Sequence, residues 1–170
     1  CLSDWSSDVC SSDLKHWSYG VGSGLVAAVG QRILYSASPV QTDKTAPALR
    51  ELAREYAGIA GGRPITGPEL KAAQDNETLG LPGAFETIAQ LGNGYATILQ
   101  YHLPEDYYNT YTDKVWGVNP ADLNALAART ILPKQQLWIV VGDMSKVEAD
   151  VRALGMGEVR KIDADGNLLP

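Results

Sequence analysis

The stretch WSYGVGSGLVAAVGQRILYSASPV (Trp17–Val40) decides the fold class. Trp17 to Ala28 mixes small and aromatic residues and reads as a strand. Val29-Gly30-Gln31-Arg32 is a turn signal, and Ile33 to Val40 reads as a second strand, so the pair forms a β-hairpin. Everything after it, up to residue 136, is dominated by helical patterns. A hairpin followed by grouped helices argues for the α+β class, with an antiparallel or mixed sheet covered by helices on one face.

The helical patterns come with their own punctuation. Thr42-Asp43 offers a cap, and Leu49, Leu52, Ala53, Tyr56 and Ile59 then recur at helical spacing. Pro47 is tolerated because it falls near the first turn, and Gly61-Gly62 ends the helix. Thr66-Gly67-Pro68-Glu69 is a capping box: the Thr hydroxyl accepts from the Glu69 amide while the Glu carboxylate accepts from the Thr66 amide. Pro68 sits where a missing N–H costs little. That helix is predicted to run to about Leu79, where Pro82-Gly83 interrupts it.

A second helical stretch, from Phe85 to about Tyr101, is expected to bury Ile88, Leu91, Tyr95 and Ile98-Leu99. A short helix restarts near Glu105, followed by another at Asn119-Pro120 whose apolar face is Leu123, Leu126, Ala127 and Ile131. Pro133 stops it. Leu137 to Val141 is a short apolar run suited to a buried strand. Ser145-Lys146-Val147-Glu148 reads as a second capping box, opening a helix that ends at Gly155. Glu158 to Ile162 reads as a last strand, and Asp163-Ala164-Asp165-Gly166 as a turn.

The chain has 170 residues, enough for one domain, and 45% of them are apolar. Its first fourteen residues do not match the rest. DWSSDVCSSDL (Asp4–Leu14) is what one reading frame of a common short-read sequencing adapter encodes. Residues 1–14 are therefore read as an adapter-derived artefact, expected to be disordered, and set aside like an expression tag. Removing Asp4, Asp8 and Asp13 takes the 20 acidic residues to 17 against 14 basic ones, and the formal charge from -6 to -3. Cys1 and Cys10 leave with them, so cysteine usage says nothing about redox compartment. The remainder, residues 15–170, is expected to be a fragment truncated at its N-terminus. No run of Lys or Arg points to nucleic acid or an anionic membrane. No apolar run is long enough to span a bilayer.

Few residues carry chemistry. His16 and His102 stand at no metal-ligand spacing, and His-Glu-x-x-His is absent. His102 reads as a helix-end or surface histidine. Gly20-Val21-Gly22-Ser23-Gly24 lacks the spacing and the Lys of a phosphate loop and reads as a glycine-relaxed strand. Gly92-Asn93-Gly94 reads as a site of close helix packing. Asp163, Asp165 and Asn167 resemble the start of a calcium loop, but no acidic residue follows at the twelfth loop position, so a plain turn is the better reading. Tyr19, in KHWSYG, reads by itself as a core or sheet-face residue.

An ordered set of motifs adds weight to Tyr19. KHWSYG, SPVQTDKT, RELAREYAGIAGGRPIT, PGAFETIAQL, YHLPEDYYNTYTDKVWGVNPADLNALA, LWIVVGD and LGMGEVRKIDADGN together resemble the C-terminal domain of the M16 zinc peptidases, the relatives of insulinase, pitrilysin and the mitochondrial processing peptidase. The resemblance covers Lys15 to the end. It implies a domain of the non-zinc half of a metalloendopeptidase whose two homologous halves close around an unfolded peptide. Zinc and the catalytic Glu would sit on an inverted His-x-x-Glu-His motif in another domain or subunit, and no zinc is expected on this chain. The opposite half of such enzymes supplies an Arg and, seven residues later, a Tyr that hydrogen-bonds the scissile carbonyl. Tyr19 matches that Tyr; the Arg position falls on Ser12, inside the adapter stretch. The resemblance also implies an exported, for instance periplasmic, parent enzyme. It leaves two alternatives open: a non-catalytic M16-like scaffold subunit, or a peptide-binding module. Because the family domain begins with further elements ahead of this point, one sheet edge or central slot is expected to lack a partner.

Overall fold

The structure is a computed structural model that describes Trp17, Ser18 and residues 20–169. The stretch 1–14, His16 and Tyr19 lie outside the described residues. The fold is α+β; the described residues form a two-stranded antiparallel sheet and six α-helices. β1 (Gly22–Leu25) pairs with β2 (Leu34–Ala37), Gly22 opposite Ala37 and Leu25 opposite Leu34. One ring compensates for the glycines: Tyr35 lies across Gly24, 3.5 Å from where a Cβ would sit. The Val26 amide donates to the Ile33 carbonyl at 2.9 Å and extends the pairing toward the turn. Ser36 and Tyr56 share a 2.6 Å hydroxyl–hydroxyl hydrogen bond, which ties this ribbon to the first helix.

That helix, α1 (Thr45–Ala57), begins later than Thr42-Asp43 suggests. Thr42–Lys44 forms a tight 3-10 turn, and the Thr45 hydroxyl donates to the Thr42 carbonyl at 3.0 Å. The exit is as read: the helix widens over Gly58–Gly62 and ends there. α2 (Gly67–Leu79) opens on the expected capping box. The Thr66 amide donates to Glu69 Oε2 at 2.8 Å, and the Glu69 amide to Thr66 Oγ1 at 3.5 Å.

A second box, absent from the sequence reading, opens α3 (Ile88–Tyr101): Thr87 and Gln90 reciprocate in the same way. α3 closes on His102, the one described non-glycine residue with positive φ, at 51°. The Leu103 amide reaches back to the Ile98 carbonyl at 2.9 Å, a Schellman-type closure that needs the left-handed residue before it. His102 is thus the exposed helix-end residue that its sequence position suggests.

α4 (Tyr107–Trp116) and α5 (Pro120–Thr130) follow. Asn119 caps α5 as expected, accepting from the Asp122 amide at 3.0 Å. α6 (Met144–Ala153) is shifted from its predicted start. Asp143, not Ser145, caps it, accepting from the Ser145 amide at 3.1 Å and the Ser145 hydroxyl at 2.7 Å. A carboxylate brings full charge to the positive end of the helix, which a hydroxyl does not. Glu148 is then free to bind Arg152 at 2.8 Å.

Side-chain amides do much of the joining. Gln74, buried on α2, donates to the Val115 and Val118 carbonyls at 2.9 and 3.1 Å and so holds the end of α4. Asn124 on α5 accepts from the Ile65 amide at 2.7 Å and donates to the Ile65 carbonyl at 3.1 Å, as a neighbouring strand would. Gly94 admits the Phe85 ring, whose edge stands 2.8 Å from where a Cβ would lie; Gly92 faces open space. The close packing read from Gly92-Asn93-Gly94 therefore belongs to Gly94.

Two expectations fail. The helix over Ile88–Tyr101 does not bury its apolar residues: Ile88 is 90% and Leu99 75% exposed, and Leu91 and Tyr95 are exposed as well. Among the described residues α3 packs mainly on the short turn Pro82–Phe85, with the Tyr108 ring also against Gly94. Neither predicted late strand forms. Among the described residues, 137–141 and 158–161 have no ladder partner; Ile162 makes only an isolated bridge to Leu168. The buried apolar residues among those described are Ala46, Leu70, Ala127 and Val147, a small core for this length.

Candidate functional site

The residue selected from the sequence, Tyr19, lies outside the described residues, but both of its neighbours are placed. Ser18 bridges antiparallel to Val40, and the Gln41 amide donates to the Trp17 carbonyl at 3.1 Å. Around this crossing lies a compact polar set. Ser18 Oγ and Ser38 Oγ each stand 2.8 Å from the Gly20 carbonyl oxygen and 2.6 Å from one another. Two hydroxyl protons serve these three contacts, so the two serines share them. The Gly20 amide in turn donates to Ser18 Oγ at 3.1 Å. The backbone on each side of position 19 is therefore held from both directions, locally by Ser18 and across the ribbon by Ser38. Gly20 adopts φ 146°, a conformation that favours glycine.

Beside this crossing an open cleft of about 470 Å³ is lined by Gln41, Thr42, Asp43, Lys146 and Asp150. It lies where the chain leaves the ribbon and meets α6. Its charges are mixed. The Asp43 carboxyl is held below the usual carboxylate range by its hydrogen bond to Lys44, at 2.7 Å. Lys146 lies 3.3 Å from Asp143. The cleft is lined by both hydrogen-bonding and ionic side chains. Sequence reasoning missed it because its two walls, residues 41–43 and 146–150, lie about a hundred positions apart and share no motif.

A second titratable pair stands away from this region. The Tyr111 phenol donates to Glu77 Oε2 at 3.0 Å. Burial first, then that hydrogen bond, push the phenol up to about 12, so it stays protonated at any physiological pH. The Tyr107 ring lies tilted against it at 5.7 Å, and the row continues edge to face from Tyr107 to Tyr108 at 5.1 Å and from Tyr108 to Phe85 at 4.8 Å. The pair joins α2 to α4 and is structural.

The remaining sequence candidates resolve simply. Gly22 and Gly24 lie in β1. Asp163 caps a turn, accepting from the Asp165 and Asn167 amides at 3.0 and 2.8 Å. Among the described residues no group of three His, Cys, Asp or Glu is placed to hold a metal ion. No helix among them is long and apolar enough to cross a membrane. No protein-family model matches the chain, and no curated protein matches it.

Proposed function

We propose that residues 15–170 form a substrate-enclosing, non-zinc domain of an M16-type zinc metalloendopeptidase. In this reading Tyr19 donates a hydrogen bond to the scissile carbonyl of an unfolded peptide as negative charge builds on its oxygen. The zinc would belong to a separate His-x-x-Glu-His domain or subunit, within an exported parent enzyme. The observation that supports the reading is the Ser18–Ser38–Gly20 set. A phenol contributes to a transition state only if its backbone is fixed before the reaction. Here the residues before and after Tyr19 are fixed by three short hydrogen bonds beside an open polar cleft.

The test is Tyr19→Phe in the full-length enzyme encoded by the intact locus. Loss of one oxyanion donor lowers kcat by about 100-fold or more with KM nearly unchanged. Unchanged kcat removes Tyr19 from the mechanism. Sequencing through the junction upstream of Lys15 tests the wider assignment. A His-x-x-Glu-His motif in the same or an adjacent reading frame is the expected result; a degenerate one transfers the chain to the scaffold class.

A further inference from the structure

We draw no further inference here: the strongest candidate, the apolar stretch Leu137–Val141 between α5 and α6, leaves Leu137, Ile139 and Val141 exposed, but nothing in the structure shows what covers it.

Discussion

Two extended stretches of this chain meet opposite fates, and composition predicts them the wrong way round. Gly22–Leu25 reads GSGL, two glycines and a serine in four residues, poor material for a strand. It nevertheless forms the ladder. Leu137–Val141 reads LWIVV, among the strongest strand compositions in the chain, and lies unpaired. The difference is the distance to a partner. Leu34 follows Leu25 by nine positions, so closing the ribbon costs little chain entropy. LWIVV is flanked by α5 and α6, and the next extended stretch closes on itself through the Asp163 turn, with the Leu169 amide donating to the Lys161 carbonyl at 2.9 Å. Strand structure here follows the availability of a neighbour, and propensity is secondary.

If that is so, the ribbon should be sensitive to its polar fastenings and the unpaired segment insensitive to its side chains. The largest effect is expected at the fastenings. Ser18→Ala combined with Ser38→Ala leaves the Gly20 carbonyl without its two donors. The double variant is expected to lose about 2 kcal/mol, from about 1 kcal/mol for each hydrogen bond. Denaturant unfolding measures the total. Amide exchange localises it, with Gln41 and Val26 the first to lose protection. An unchanged midpoint would mean that the serine set is ornamental and that the pairing of β1 with β2 suffices alone.

A much smaller effect is expected on the other side of the comparison. Leu137→Thr and Val141→Thr replace side chains that already face water. Each is expected to change monomer stability by less than about 0.5 kcal/mol, measured at a concentration where the chain is monomeric. A loss above about 2 kcal/mol would show these side chains to be covered in solution and would remove the contrast between the two stretches.

The same contrast explains what was legible in the sequence. Features fixed within a few residues were readable: the Thr66–Glu69 box, the Asn119-Pro120 start, the Gly61-Gly62 exit and the turn at Asp163, and so was the hairpin, whose strands are joined by a short connection. Where local reading failed, two local candidates competed. Asp143 displaced Ser145 as a cap because its charge suits the helix end better, and Thr87–Gln90 went unseen behind Pro82-Gly83. Features that need a distant surface were not readable. Periodicity marked Ile88, Leu91, Tyr95 and Leu99 as an apolar face, but periodicity states only which residues share a face, not that anything covers it. For the candidate site, Tyr19 came from motif resemblance alone. The Ser38 contacts to Ser18 and Gly20 and the Asp43–Lys146–Asp150 cleft required the chain to fold back on itself.

The smallest effect tests where the unpaired stretch ends. Asp143 follows it by two residues, and its carboxyl is held below the ordinary Asp value of 3.8, chiefly by the Ser145 hydroxyl and then by Lys146. A carboxyl whose folded value lies below its unfolded one stabilises fully above the unfolded value, and that contribution is lost as pH falls through the folded value. The Ser145 amide signal should therefore move with a midpoint below 3.8 in an NMR titration. In Asp143→Asn, which keeps a capping oxygen but cannot ionise, that movement should vanish. The Val141 amide is the informative control. No hydrogen bond joins it to the cap, so its shift should stay flat over the same range. If it instead follows Ser145, the cap and the apolar stretch respond as one unit, and LWIVV would be anchored by α6 in the way that GSGL is anchored by β2.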